Sequence, residues 1–237
     1  MEKIKTGIEG LDNILGGGIP KGHCVLLAGS CGTGKTILCE QFLFHGAKKF
    51  NEKGVHIALG EPKETLINNM EGFNFFDTKL IDSGMIKIVD MNQDTRLKGV
   101  GMQNTQGLIS LIREIIQNNN AKRVVIDSIT AIGEGINDER KIRDFVFELG
   151  FQLRYLGCTT IMTSEIPPQT FLYSVFGVEE FIADGVILIT EFERKGDLIR
   201  ALQVIKMRGV NHSRNKHVLK IIEDGINLVP MFKAESE

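Results

Sequence analysis

The chain has 237 residues, of which 42% are hydrophobic and 24% are charged, and its formal net charge is -2. These values exclude a disordered or membrane-spanning protein and give no general attraction to nucleic acid or anionic membranes. The first residues, MEKIK, lack the apolar core of a signal peptide, so we expect a cytoplasmic protein without membrane association. Because we find no repeat, linker or low-complexity tract, we expect one domain over residues 1–237.

The amino-terminal part of the chain leads into a phosphate-loop motif. A short amphipathic segment at 11–15 and a glycine turn precede an apolar run at 24–28, which predicts a strand. Residues 29–36, GSCGTGKT, then match the pattern G-x-x-x-x-G-K-[ST] at every fixed position. A helix predicted from Lys35 to about Phe50 completes the strand, loop and helix that this motif needs. The sequence therefore predicts a nucleoside triphosphate site.

Each part of the phosphate loop has an expected chemical role. The glycines allow successive backbone N–H groups to curl around phosphate oxygens at the positive end of the helix. Lys35 is expected to reach the β- and γ-phosphates, and the Thr36 hydroxyl to ligate Mg²⁺. We therefore expect ATP and Mg²⁺ as ligands, with nucleotide contacts from Ser30, Cys31, Gly32, Thr33, Gly34, Lys35, Thr36 and Ile37.

The four cysteines show neither paired C-x-x-C spacing nor nearby histidines at zinc-finger distances. Cys31 lies inside the phosphate loop, where a helix amino terminus could lower the pKa of the thiol and make it oxidisable. The alternative is a small residue that the loop simply tolerates. The sequence leaves both interpretations open.

Strands and helices alternate after the phosphate loop. The patterns predict strands at 55–59, 85–90, 123–127 and 159–163, and helices at 63–70, 108–116 and 140–156. This alternation predicts right-handed crossovers and a mostly parallel sheet, with its ligand at the carboxyl ends of the strands. Polar residues at or just beyond these ends are expected on one side of the sheet: Lys35, Glu61, Asp127, Ser164 and Glu165.

The strand at 123–127 ends in a carboxylate, which is the form of a Walker B element. Asp127 is expected to hold Mg²⁺ through water, and the alternative is a strand-ending aspartate used as a cap. From Gly185 onward the pattern changes to strands at 186–190, 199–206 and 218–222, joined by tight turns without helices. We expect an antiparallel extension of the sheet there.

Several longer motifs resemble those of the KaiC-like ATPases in the RecA and RadA superfamily. They run from Thr6 to Pro230: TGIEGLDNILGGGIPKG, GSCGTGKT, VVIDS, MTSEIP, FGVEEFIADGVI, KMRGVNH and DGINLVP. The chain resembles a single-domain member of the archaeal type. The resemblance implies a RecA-like P-loop fold with a mostly parallel central sheet, flanking helices and a carboxyl-terminal antiparallel extension.

The resemblance also implies a homo-oligomer, a hexamer, with the nucleotide between neighbouring subunits. Lys206 and Arg208 match positions from which a lysine and an arginine reach the γ-phosphate of the adjacent protomer, where phosphoryl transfer spreads negative charge. His212 and the backbone near Met207 and Val210 are implied to touch the same nucleotide. Without the resemblance, Lys206 and Arg208 would be interpreted as residues of a solvated strand face, and His212 as a residue of an exposed turn. The expected catalytic residues are Lys35, Glu61, Asp127, Lys206 and Arg208, and Ser164 and Glu165 match the γ-phosphate-sensing position.

Two departures from the family pattern bear on activity. The family usually has adjacent glutamates after the second strand, and here Gly60 and Glu61 stand at these positions. If the first glutamate orients the attacking water, hydrolysis is slow unless Glu61 takes over that role. Glu180 and Phe181 stand where the second KaiC domain carries its autophosphorylated serine and threonine, so we do not expect an autokinase.

The leading prediction is an ATP-binding, slowly hydrolysing oligomer that acts as a nucleotide-dependent regulatory module on an unknown protein partner. A recombination factor acting on single-stranded DNA is the first alternative, and such proteins bind DNA through basic or stacking residues in the loops after two strands, here predicted at 129–139 and 166–181. The loop at 166–181 contains no Lys or Arg, and the loop at 129–139 carries Glu134, Asp138 and Glu139. Nucleic acid is therefore not an expected partner, even though Phe171, Tyr173 and Phe176 could stack on bases. The second alternative is a nonhydrolysing FlaH-like nucleotide sensor, which Gly60 favours.

Overall fold

The computed structural model describes residues 1–94, 104–136, 138–168, 170 and 172–231. The helices are α1 (Leu11–Ile14), α2 (Lys35–Phe50), α3 (Lys63–Met70), α4 (Thr78–Asp82), α5 (Thr105–Asn118), α6 (Thr130–Gly135), α7 (Glu139–Leu156) and α8 (Glu179–Ile182). The strands are β1 (Lys3–Ile4), β2 (Ile19–Pro20), β3 (Cys24–Gly29), β4 (Gly54–Ala58), β5 (Ile86–Asp90), β6 (Arg123–Asp127), β7 (Thr159–Glu165), β8 (Gly185–Arg194), β9 (Asp197–Met207), β10 (His217–Ile222) and β11 (Gly225–Pro230).

The main sheet has nine strands in the order β11-β10-β9-β8-β3-β7-β6-β4-β5. The neighbours from β8 through β3 to β5 pair in parallel, and the pairs β8 with β9, β9 with β10 and β10 with β11 are antiparallel. Helices connect the parallel strands because a parallel pair needs a crossover, whereas tight turns suffice for the antiparallel ones. The predicted mostly parallel sheet with an antiparallel carboxyl-terminal extension is confirmed.

Two hydrophobic cores lie on opposite faces of the sheet. Alternate residues of a strand point to opposite faces, so Val125 of β6 packs with α1, α2 and α3, whereas Val124 and Ile126 pack with α5, α6 and α7. The parallel strands are buried on both faces, which explains their near-continuous apolar sequence. Among the described residues, no helix is long and apolar enough to cross a membrane.

The structure differs from the sequence-based prediction in several elements. Residues 130–135, predicted as part of a loop, form α6, because burial of Ile132 against the sheet outweighs the low helix propensity of the glycines. The hairpin of β8 and β9 extends to Arg194 and Asp197, where exposed polar residues are held by backbone pairing rather than by apolar burial. The small β1–β2 sheet and α4 were not predicted, because two to five residues carry too little periodicity.

Candidate nucleotide-binding site

The phosphate loop connects the buried strand β3 to α2. A Cβ on Gly29 would lie 2.8 Å from Thr33 Oγ1 and 2.9 Å from the Ile189 carbonyl oxygen, so only glycine fits there. Gly32 and Gly34 have φ values of 78° and 98°, in the left-handed region that favours glycine. The Thr33 hydroxyl donates to the Ser30 carbonyl at 2.8 Å and closes the turn. These constraints bend the backbone into a cradle at the amino terminus of a 16-residue helix, where an anion is stabilised.

Lys35 folds back over this cradle. Its ammonium group donates to the carbonyl oxygens of Gly29 at 3.0 Å and Ser30 at 2.9 Å, and it lies 3.8 Å from the Glu165 carboxylate. The side chain is only 6% exposed. A buried cation held by neutral carbonyls can exchange them for phosphate oxygens, which form stronger charge-assisted hydrogen bonds. The position of Lys35 therefore fits a triphosphate.

Thr36 and Asp127 lie next to each other although they are 91 residues apart in sequence. The Thr36 hydroxyl donates to Asp127 Oδ2 at 2.7 Å, and the Thr163 hydroxyl donates to Oδ1 at 2.5 Å. Oxygen donors of this kind suit Mg²⁺, which is usually held by one or two protein oxygens together with water and phosphate. The residues present thus fit Mg²⁺.

A cavity of about 570 Å³ opens beside these groups, lined among others by Thr36, His56, Gly60, Glu61, Asp127 and Glu165. Burial, reinforced by the charge of Asp127, raises the pKa of Glu61, while a hydrogen bond of 2.8 Å from Asn69 opposes this rise. Gly60 does not have a positive φ, and a Cβ there would meet only Ala131 Cβ at 3.9 Å. The position therefore accepts a side chain without backbone strain.

Sequence reasoning missed one pair of residues in this region. His56 of β4 and Glu40 of α2 are 1% and 0% exposed and bond to each other through His56 Nδ1 and Glu40 Oε1. The available signals were an ionisable residue in an otherwise apolar strand and a glutamate on the buried side of α2. Neither signal shows that the two positions face each other.

The structure places the two remaining predicted cations, Lys206 and Arg208, at the opposite end of the strands from the phosphate loop. β9 runs antiparallel to β8, so Met207 pairs with Gly185, which in turn pairs with Val25 near the start of β3. The phosphate loop follows the other end of β3, roughly 13 Å away along the strand at 3.3 Å per residue. Lys35, Thr36, Glu61 and Asp127 are thus brought together, whereas Lys206, Met207, Arg208, Val210 and His212 lie apart from them.

Arg208 lies at this end of the strands, and its side chain is 53% exposed. Its guanidinium donates to Asp184 Oδ1 at 3.1 Å and to the Phe181 carbonyl at 3.1 Å. Lys206 Nζ donates to the carbonyls of Glu180 and Ala183 at 3.0 and 2.7 Å. Burial, and then the nearby Arg208, lower the pKa of Lys206. Neither cation is a freely solvated strand-face residue, since both are held at the carboxyl end of α8.

The cysteines differ in exposure. Cys31 is exposed in the phosphate loop, and Cys24, Cys39 and Cys158 are buried and unbridged. Burial raises the pKa of each of these three thiols, which makes them poor nucleophiles.

The chain is similar to known proteins over nearly its whole length. The sequence model of the family described as "ATPase: KaiC" matches residues 4–232. The circadian clock oscillator protein KaiC of Picosynechococcus sp. is 37% identical over 235 residues, 98% of this chain and 45% of that protein. KaiC of Synechococcus elongatus is 35% identical over 233 residues, 97% of this chain and 44% of that protein. The chain thus spans less than half the length of these curated relatives.

The fold has a solved counterpart of matching size. The crystal structure of a KaiC-like protein from the hyperthermophilic archaeon Pyrococcus horikoshii OT3 superposes with a TM-score of 0.86 at 37% sequence identity. The match covers 97% of this chain and 99% of that one. Together with the sequence matches, this similarity confirms the resemblance inferred from the motifs, and the chain belongs to the KaiC ATPase family.

Proposed function

We propose that this chain is a single-domain ATPase that binds ATP with Mg²⁺ between neighbouring protomers of a ring and hydrolyses it slowly, as a nucleotide-dependent regulatory module. The observation that carries the proposal is the separation of two complementary groups within one chain. The phosphate loop, Thr36 and Asp127 lie at one end of the parallel strands, and Lys206 and Arg208 lie at the other. A phosphate bound at the loop can reach Arg208 only if another protomer supplies it.

The residues at the loop have distinct roles in this proposal. Lys35 and the backbone N–H groups of the loop bind the β- and γ-phosphates. Thr36 and Asp127 hold Mg²⁺, which would neutralise charge that develops on the phosphoryl group. Residues 30–37 contact the nucleotide from one protomer, and Lys206, Met207, Arg208, Val210 and His212 contact it from the next. Arg208 stabilises charge on the γ-phosphoryl oxygens.

Mg²⁺ with ATP is expected to promote assembly into a ring of about six protomers, because a ligand bound between two subunits stabilises only the assembled state. Light scattering with size-exclusion chromatography, with and without Mg²⁺ and ATP, measures this effect. The Lys35→Ala variant provides the control, since it should not assemble in response to nucleotide. An ATP-indifferent monomer would remove the shared site from the proposal.

Gly60→Glu is expected to raise kcat by about tenfold or more, since a positioned proton acceptor typically contributes on the order of 100-fold. Gly60 has no side chain to orient water, so the wild-type rate should lie well below the roughly 10 per second typical of enzymes. The added carboxylate acts on the transition state, so the affinity for ATP should change little. The open space around this position predicts a folded variant.

Steady-state ATP turnover and melting temperature, measured together, test this prediction. Gly72→Glu is the matched control, because a Cβ at Gly72 would likewise have open space around it and the residue lies outside the cavity. A folded Gly60→Glu variant that is no faster, together with loss of activity in Glu61→Gln, would show instead that Glu61 is the working carboxylate.

The structure bears on the recombination alternative through two aromatic residues. Phe176 is partly buried and packs against the core, and its ring lies where a Cβ on Gly133 of α6 would come within 2.7 Å. Part of the Phe176 ring is therefore occupied by packing, whereas Tyr173 is 39% exposed and Phe171 lies outside the described residues. Because no lysine or arginine occurs in residues 166–181, a regulatory ATPase acting on a protein partner remains our proposal.

A further inference from the structure

The buried pair of His56 and Glu40 lies directly beneath the proposed hydrolysis site. Glu40 follows Thr36 by four residues on α2, which places the two side chains on the same face of the helix, one turn apart. In the sheet, His56 pairs with Val125 and Ala58 pairs with Asp127, so His56 lies on the Asp127 side of the sheet, one repeat below it. His56 lines the same cavity as Thr36, Glu61 and Asp127. His56 thus forms part of the floor of that cavity, and Glu40 lies behind it, fully buried.

Packing alone does not explain this pair. A buried ion pair is often no more stabilising than apolar residues of similar volume, because both charges lose their hydration. Glu40 Oε2 is fully buried without a hydrogen-bond partner in the described part of the chain, which adds to the cost. Every other residue of β4 is apolar, so an apolar side chain would suit position 56 equally well. A polar pair kept here points to a role in the cavity.

The imidazole has one nitrogen available for that role. Nδ1 is held by Glu40, and Nε2 makes no hydrogen bond to any residue that the structure describes. Burial would lower the pKa of His56, but the carboxylates of Glu40, Asp127 and Glu61 outweigh it and raise the pKa above its ordinary value. Because Nδ1 is engaged by Glu40, Nε2 is the ring atom left to form a hydrogen bond with water in the cavity.

We propose that His56, anchored by Glu40, is a positioning residue for ATP hydrolysis, whose Nε2 holds the water layer shared by Asp127 and Glu61 at the floor of the cavity. This inference rests on the proposed ATPase function. His56 lies on β4, the strand that leads to Gly60. In this proposal its imidazole supplies a polar group to the cavity, whereas Gly60 has no side chain to do so. Partners that orient the ligands of a metal typically affect activity about 10–100-fold.

The decisive variant replaces both members of the pair, His56→Leu with Glu40→Met, because removing His56 alone would leave an unpaired buried carboxylate. The double variant should fold and bind Mg²⁺ and a nonhydrolysable ATP analogue as the wild type does. Its kcat should fall about 10–100-fold while KM changes little. His45→Leu is the matched control, because His45 is also a buried histidine but lies outside this cavity, and its kcat should not change.

A second measurement does not depend on turnover or on the folding of the double variant. The chain has five histidines, so the His56 signal in a spectrum of protein with ¹³C-labelled histidine can be assigned by elimination with single variants of the other four. We expect this signal to shift when Mg²⁺ and the nonhydrolysable analogue are added. Wild-type turnover in the double variant, or a His56 signal that does not move on saturation with the analogue, would overturn the inference. Wild-type protein that binds nucleotide but never hydrolyses it would instead contradict the proposed ATPase function.

Discussion

Lys35→Ala is expected to remove most of the ATP affinity of this protein. The ammonium group of Lys35 lies within hydrogen-bonding distance of two carbonyls of the phosphate loop, so Lys35 is placed to contact the β- and γ-phosphates directly. Hydrogen bonds to charged groups contribute about 1.5–3 kcal/mol each, so loss of the contacts to both phosphates should weaken binding by at least about 100-fold. The backbone N–H groups of the cradle remain and account for the residual affinity.

Isothermal titration with ATP in the presence of Mg²⁺ measures this loss, and a thermal melt of the same sample shows whether the variant is folded. Lys79→Ala, an exposed lysine on α4, is the control for removing a positive charge and should bind like the wild type. If a folded Lys35→Ala protein bound ATP as tightly as the wild type, the phosphate loop would not be the nucleotide site.

The sequence was sufficient for the phosphate loop because its signal is local. Eight consecutive residues fix the loop, and the apolar runs on either side fix the strand and the helix. Asp127 was also predictable, since a carboxylate at the end of a buried parallel strand lies on the ligand side of the sheet. Its contact with Thr36 at 2.7 Å follows from the sheet order, in which β6 and β3 both neighbour β7.

What the sequence did not reveal depends on contacts between distant elements. His56 and Glu40 are separated by 16 residues and meet only because α2 packs against β4. In composition and periodicity, His56 and Glu40 each stand out only as an isolated polar residue in an apolar run. The sequence pattern therefore does not predict that the two side chains meet. The position of Lys206 and Arg208 relative to the phosphate loop likewise requires the direction of β9, which the single-sequence pattern does not supply.

The carboxyl end of α8 orients the Arg208 side chain, which we propose acts on a neighbouring protomer. Phe181 O and Asp184 Oδ1 each accept a hydrogen bond from its guanidinium at 3.1 Å. Asp184 Oδ2 in turn accepts from the backbone N–H of Cys24 at 3.1 Å, which fixes the carboxylate to the buried start of β3. The guanidinium is thus held in a defined orientation while half of the side chain stays exposed, so in the proposed contact with a phosphate it would lose little conformational entropy.

Arg208→Ala is therefore expected to lower kcat by about 1000-fold, the lower end of what an arginine supplied in trans contributes to phosphoryl transfer. Assembly promoted by Mg²⁺ and ATP should weaken as well, because one contact across the shared site is lost. Binding at the phosphate loop of the isolated protomer should persist, in contrast to Lys35→Ala. Arg113→Ala, which removes an exposed arginine from α5, should leave turnover unchanged.

Mixing the two inactive variants tests whether the site is shared. A Lys35→Ala protomer cannot bind the triphosphate but still offers Arg208 to its neighbour, whereas an Arg208→Ala protomer binds ATP but offers no arginine. Among the chains that assemble into rings from equal amounts in random order, roughly a quarter of the interfaces pair an intact loop with an intact Arg208, so turnover per assembled chain should return to roughly a quarter of the wild-type value. Such recovery cannot arise if each chain completes its own site. If mixed rings form but remain as inactive as the separate variants, Arg208 acts within its own chain or not on the nucleotide at all.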